Sequence, residues 1–298
     1  MSRLASLFCI PDAVRPFLRY DHRPVLTLAC LNISTWRLPS PETISIRYYD
    51  TISYPEHIAI LDDNIIVAGY EGKAHSHFAI EPSIYGDYHL PVNEYLRDLK
   101  TMQNKLLVFP HSRYLHLGNK VIDLRHNKGY HICVTPTGFV ILIDTNPVRA
   151  RINSGALQFH NHDGAYTHTV SVYCKWRCIT WVGEGDIAFA ATSLLQGCAK
   201  VYLLSINGSI IKTLSFDIYA FMQMGFSILY DPVWEEYLLS GDSCIMAVSE
   251  RGIRIVYEYH KTDKLYYFHA LTWNTYLEKR SLLFCIRNHS LLGQIEMK

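Results

Sequence analysis

The chain has 298 residues, 49% of them hydrophobic, which is ample for a sizeable core, and its Lys+Arg of 28 against Asp+Glu of 27 leaves a net charge of +1. That balance lacks the positive excess that draws a protein onto phosphate backbones, so nucleic acid is not an expected partner. No run approaches the ~18 apolar residues of a membrane helix, and no small-residue cleavage site follows the short apolar stretch in Met1 to Ile10, so no membrane partner and a cytoplasmic location are expected.

Taken in chain order, the sequence predicts strand after strand. An irregular start containing Pro11, Arg15, Pro16 and Arg19 gives way to a first strand over Pro24 to Ile33, then a second over Ile44 to Tyr49. His57 to Leu61 and Ile65 to Tyr70 flank Asp62-Asp63-Asn64, a turn-forming cluster that reads as a hairpin. Val92 to Met102 stands apart, because Tyr95, Leu96, Leu99 and Met102 fall at helical spacing and predict a short helix or a loop insertion. Leu106 to Phe109, Tyr114 to Leu117 and Val121 to Leu124 follow as a meander. Tyr130 to Val134 and Phe139 to Asp144 surround Thr135-Pro136-Thr137-Gly138, where proline fixes one φ and glycine frees another.

The second half repeats the theme. Cys178 to Val182 and Ile187 to Ala191 flank Gly183-Glu184-Gly185-Asp186, and Lys200 to Ile206 meets Ser209 to Phe216 across Asn207-Gly208. Asn-Gly between two β-rich runs is the strongest short-range hairpin signal, since a type I′ turn needs positive φ at both central residues. Phe226 to Tyr230 pairs with Glu236 to Ser240 across Asp231-Pro232, and Ile245 to Val248 with Ile253 to Tyr259 across Glu250-Arg251-Gly252. Leu265 to Leu271, Leu282 to Ile286 and Ser290 to Glu296 complete the series.

Serial hairpins of this spacing, and the strand-turn-strand unit Phe226 to Ser240 above all, resemble the blades of a β-propeller. The fold class expected is therefore all-β, a propeller of six or seven blades at about 40 residues each. It would occupy residues 24–298 as one domain behind an irregular arm, residues 1–23. The resemblance implies ring closure by pairing the two ends of the chain, for which Val25 to Leu31 and Leu282 to Ile295 are available. No Gly-His opening with a Trp-Asp close recurs at blade spacing, so the likeness to WD repeats lies in strand spacing alone.

Eight cysteines are scattered singly, mostly within apolar runs such as Ile132-Cys133-Val134 and Phe284-Cys285-Ile286, which predicts reduced, buried thiols. The one close pair, Cys174 and Cys178, lacks the second pair that a zinc site would need. Fifteen histidines include two His-x-His motifs, His75-Ser76-His77 and His160-Asn161-His162. In an extended segment His160 and His162 share a side, and Asp163 or His168 could complete a metal set; with His75-Ser76-His77 far away in sequence, the two motifs become a site only by meeting at a propeller's central channel, and the competing reading is an ordinary polar connection between blades around Gly164. No nucleophile elbow, phosphate-binding loop or dinucleotide fingerprint is present.

Three classes of function remain open. The leading one is a non-enzymatic protein-binding module with a single specific partner and no cofactor, in its finest form the inhibitor half of a toxin–immunity pair. Its contact residues would be loop aromatics beside turns: Tyr85, Tyr88, Trp234, Tyr237, Trp273 and Tyr276. The second is a metal-dependent propeller hydrolase or lyase using His160, His162, Asp163 and His168. The third is a carbohydrate-binding domain that stacks sugars on exposed Trp and Tyr.

Overall fold

The computed structural model describes residues 43–297, apart from 70, 81, 83, 125–127, 145–154, 173–175, 184–185, 194–197, 207–208, 218–226, 242–243, 259–267 and 278–279. The expected arm and the expected strand Pro24 to Ile33 lie outside these residues, as does the Asn207-Gly208 turn. Among the described residues the strands form six four-stranded antiparallel sheets.

β1 (Thr43–Asp50) precedes a first sheet of β2 (Pro55–Leu61), β3 (Asn64–Gly69), β4 (Ala74–Phe78) and β5 (Ile84–Tyr88). The second comprises β6 (Leu96–Met102), β7 (Lys105–Pro110), β8 (Tyr114–Leu117) and β9 (Lys120–Asp123). The third holds β10 (Lys128–Thr135), β11 (Gly138–Asp144), β12 (Gly155–Asn161) and β13 (Tyr166–Val172). β14 (Trp176–Gly183), β15 (Asp186–Ser193), β16 (Cys198–Ser205) and β17 (Ile210–Asp217) make the fourth; β18 (Ser227–Asp231), β19 (Glu236–Ser240), β20 (Cys244–Ser249) and β21 (Gly252–Glu258) the fifth. The sixth has the order β1-β24-β23-β22, from β22 (Phe268–Asn274), β23 (Ser281–Ile286) and β24 (Leu291–Met297) with the chain's first described strand on its outside.

The innermost strand of each sheet packs on the innermost strand of the next, β2 on β6, β6 on β10, β10 on β14, β14 on β18, β18 on β22 and β22 back on β2. Six sheets arranged in this closed ring are the blades of a β-propeller. Closure comes from β1 and β24, in register from Thr43↔Met297 to Asp50↔Leu291. The strand that closes the ring is thus Thr43–Asp50, where the sequence had offered Val25 to Leu31.

The apolar runs are continuous because each blade is covered on both faces. Along β7, Leu106 and Val108 face the first blade while Leu107 and Phe109 face the third. Along β11, Phe139, Ile141 and Ile143 point one way and Val140 and Leu142 the other. In β23, Leu282, Phe284 and Ile286 meet the fifth blade and Leu283 and Cys285 the first. Side-chain alternation thus gives every interface between blades its own apolar cluster. Each fully buried Leu, Ile or Phe contributes about 1.5–3 kcal/mol.

Val92 to Met102 is no helix, and its strand β6 explains why it resembled one. Five of the six innermost strands carry a register shift near their start, skipping Glu56, Arg97, Tyr130, Arg177 and Ala270. The extra residue at Arg97 changes the phase of alternation, so the buried positions of β6 become Leu96, Asp98, Leu99 and Met102. Those intervals imitate a helical stripe. The strand then reverses through Gln103 and Asn104, both at positive φ, as a two-residue hairpin turn requires.

Candidate functional site

Every innermost strand starts on the same side of the ring, here called the upper face, and ends on the lower face. The loop aromatics divide between the two.

On the lower face, the turn after β18 is built by Asp231, whose Oδ1 accepts the Val233 N–H at 3.0 Å and the Trp234 N–H at 3.3 Å. This side-chain-to-backbone bonding is what Asp does at turns, and it thrusts Pro232 and Val233 into solvent, Val233 being 65% exposed. Asp231 itself is buried and paired with the Arg280 guanidinium. Arg280 in turn lies 4.6 Å over the Trp273 ring, and Trp273 Nε1 donates to the Tyr230 carbonyl at 3.1 Å. Arg251 donates to the Trp234 carbonyl at 2.5 Å, and the Tyr276 N–H to Asn274 Oδ1 at 3.1 Å. The result is a rigid strip across the fifth and sixth blades: Trp234 and Trp273 are half-buried, and Tyr276 and Val233 are open.

Of the six aromatic residues expected at a binding surface, Trp234, Trp273 and Tyr276 are brought together here. Tyr237 is in the core between the fourth and fifth blades, 5.4 Å from the Tyr230 ring. Tyr88 ends β5 on the upper face, half-buried against the cluster between the first two blades. Tyr85 lies near the lower end of that same outer strand, and its side chain is outside the described residues.

The histidine motifs lie elsewhere from where a channel site would need them. His75 and His77 are on β4 and His160 on β12, each the third strand of its blade counted from the axis, whereas only the innermost strands border the axis. His77 is buried, with Nε2 2.9 Å from Thr51 Oγ1, and His75 stands 3.3 Å from Asp87. Burial and then the neighbouring His75 push the His77 pKa down to about 4.

His160 stacks on Phe139 with ring centroids 4.9 Å apart and places Nδ1 3.1 Å from the Gly164 carbonyl, while His162 Nε2 is 2.8 Å from the Pro136 carbonyl. His168 stacks on Phe159 at 4.3 Å. Asp163 lies in the turn between β12 and β13, which Asn161 organises by accepting the N–H groups of Asp163 and Ala165. Gly164 adopts φ +77 there. Among the described residues, no group of three or more His, Cys, Asp or Glu side chains is placed to hold a metal ion.

The densest polar grouping, which sequence reasoning missed, surrounds the axis at the upper face. Asp98 on β6 accepts the Leu99 N–H at 2.9 Å and reaches the next blade to accept the Ile132 N–H at 2.8 Å. Lys100 Nζ and His131 Nδ1 each stand 3.5 Å from its carboxylate. Burial alone would raise the Asp98 pKa, but the Lys100 charge and the His131 contact outweigh it and hold the carboxyl well below the usual range. Glu56, buried on β2, pairs with Arg287 Nε at 2.8 Å; burial raises its pKa and Arg287 opposes the rise. His57 is packed beside them, its pKa lowered to about 4 first by burial.

His269 on β22 adjoins the same group, its pKa driven well down by burial and then by Arg287. Glu56-His57, Arg97-Asp98 and Tyr130-His131 occupy matching places, at or just after the register shift of an innermost strand and ahead of an apolar run. That recurrence was the available signal.

No known protein family matches this sequence, and no curated protein is significantly similar to it. Among solved structures, the WD40 β-propeller domain of Doa1 superposes with a TM-score of 0.56 at 8% identity, covering 84% of this chain and 81% of that one. At that identity the likeness is one of fold, and it agrees with the closed ring described above: the chain is an all-β β-propeller.

Proposed function

We propose that the chain is a non-enzymatic protein-binding module that seats one specific partner on the lower face of its fifth and sixth blades. The observation that carries this reading is the strip Val233, Trp234, Trp273 and Tyr276, in which Trp273 is fixed by its hydrogen bond and by the Arg280 stack. Aromatic anchors held rigid before binding lose little entropy on association, and Trp, Tyr and Arg are enriched at interface hot spots. Propellers of the WD40 kind are commonly interaction modules, which supports the reading in general terms.

Capture of partners from the native source, followed by titration of the captured protein against Trp234→Ala and Tyr276→Ala, tests it. Loss of about 2 kcal/mol or more for at least one variant is expected of a central anchor. Unchanged affinity in both would refute the lower face as the working surface. The finer reading, an inhibitor in a toxin–immunity pair, is supported by the absence of catalytic motifs from the sequence. It requires a one-to-one complex in which the partner's own enzymatic activity is lost, and a captured partner that keeps its activity would exclude it.

A further inference from the structure

Large hydrophobic side chains are exposed unevenly over the ring. On the upper face, among the described residues, they are tyrosines alone: Tyr54, Tyr95 and Tyr114. Of the described Ile and Val residues that are exposed, Ile46 and Val121 lie along outermost strands. The others are all at the lower ends of blades: Ile80 at 72%, Ile206 at 41%, Ile210 at 61%, Ile211 at 53% and Val233 at 65%, joined there by Tyr276 at 43%. Ile210 and Ile211 are exposed side by side because the pairing of β16 with β17 skips Ile211, a bulge that breaks the alternation of the strand.

Contacts between blades join these residues into one band. Lys212, next to Ile211, reaches Glu250 on the fifth blade at 2.6 Å, and Arg251 beside it holds the Trp234 carbonyl. Trp273 and Arg280 tie the fifth blade to the sixth. Asn274 then donates from its side-chain amide to the Ala79 carbonyl at 2.7 Å, fixing the turn that carries Ile80 to the strand that leads to Tyr276. The band thus crosses consecutive blades from the fourth round to the first, and its charges come as pairs of opposite sign, Lys212 with Glu250 and Arg280 with Asp231.

Taking roughly 150–250 Å² for a whole large side chain, the six exposed residues present on the order of 600 Å² of apolar surface, before the half-buried Trp234 and Trp273 are added. A standard interface buries about 800 Å² per partner, roughly 60% of it apolar. The band therefore has the apolar area that a stable dimer needs.

We infer that the occupant of this band is a second copy of the chain, docked lower face to lower face about a two-fold axis. The inference rests on the lower face being the working surface and names its partner. A two-fold contact sets a patch against itself, so the patch must be apolar or balanced in sign. The band is both, whereas one dominated by a single charge would repel its own copy. The chain's net charge of +1 adds little repulsion between copies.

Sedimentation equilibrium of the full chain at about 1–100 µM, a range that resolves micromolar dimers, is the test. The expected result is a mass that rises to that of two chains, with the dimer weakened about tenfold or more in Ile80→Lys, in Val233→Lys and in Ile211→Lys, which alter three different blades. Tyr54→Asn and Ile46→Lys, away from the band, should change it less than twofold. Thermal melts check that each variant is folded, and separate substitutions at exposed positions keep the test decisive should one of them melt early.

A chain that stays monomeric at about 100 µM would overturn the inference, as would a dimer that all three lysine variants leave intact. A monomer that floats with phosphatidylcholine vesicles, and ceases to in Ile80→Lys, would overturn it by giving the band to lipid. Failure here is distinct from failure of the lower face as the working surface: a monomeric chain whose captured partner is lost in Trp234→Ala removes the second copy and leaves that reading standing.

Discussion

Replacing Asp98 with alanine should separate the second and third blades at their inner edge. The side chain satisfies the Leu99 N–H at 2.9 Å and the Ile132 N–H at 2.8 Å, and both residues are fully buried, so water cannot take its place. An unsatisfied buried donor costs about 1–3 kcal/mol, and removal of one member of a buried charged group typically costs about 3–5 kcal/mol in all. Lys100 and His131 are partly exposed and recover some hydration, which favours the lower end. We expect Asp98→Ala to lose about 3–4 kcal/mol, or roughly 10 °C in Tm at about 2–4 °C per kcal/mol for a large domain.

Asp98→Asn keeps one acceptor oxygen and should lose roughly half as much. Urea unfolding read by tryptophan fluorescence gives the difference through the midpoint. Because the folded carboxyl titrates below its unfolded value, its contribution is present above about pH 4 and fades as pH falls further. A loss under about 1 kcal/mol in Asp98→Ala, or an acid limb unchanged by the substitution, would refute the clamp.

Three further outcomes follow from other parts of the fold. His57 and His77 are held neutral with pKa values near 4 against an ordinary 6.5, so protons bind the unfolded chain more tightly between those values. Stability should be full above about pH 6.5 and fall as pH drops toward 4, by on the order of 2–3 kcal/mol for each histidine, and His77→Gln should flatten that limb in pH-dependent urea midpoints. A Cβ added at Gly293 would lie 2.2 Å from Phe284 Cζ in the buried cross-strand pair of β23 and β24. Gly293→Ala should therefore cost about 1–3 kcal/mol by overpacking, read as a lower Tm. Cys133 and Cys285 are buried free thiols whose pKa burial raises, Cys133 to about 12; both should resist iodoacetamide in the native protein and react once urea unfolds it, as peptide mass mapping would show.

How much could be read from the chain varied with how local the cause was. Turn chemistry and apolar runs are local, so the strands around Asp62-Asp63-Asn64, Pro136-Thr137-Gly138 and Asp231-Pro232 were placed closely. The strands β4, β5, β12 and β13 were not anticipated, because Ala-His-Ser-His-Phe and Tyr-Thr-His-Thr-Val-Ser-Val carry little apolar content. An outermost strand such as β9 buries little of its own side chains and is held by pairing with its inner neighbour, whereas β12 is well buried by Ala156, Leu157 and Phe159 although its sequence is interrupted by Gln158 and His160. The same polarity left the His160 to His168 stretch open to a metal set beside the reading as an ordinary polar loop between blades; it is a hairpin within one blade, turned by Asn161 and Gly164.

By itself the sequence determined that the chain is all-β, because runs such as Leu106 to Phe109 and Leu282 to Ile286 are too short for helices and are bounded by turn residues. It also determined which turns could reverse the chain. Tertiary structure alone decided what meets across the ring: that Thr43–Asp50 closes it on Leu291–Met297, and that Trp273 finds Arg280 and Tyr230. It likewise joined Asp98 on one blade to the Ile132 N–H and His131 of the next. Local propensity carries no information about partners a blade or more away, because those contacts depend on how many blades close the ring and on the register shifts that aim each inner strand.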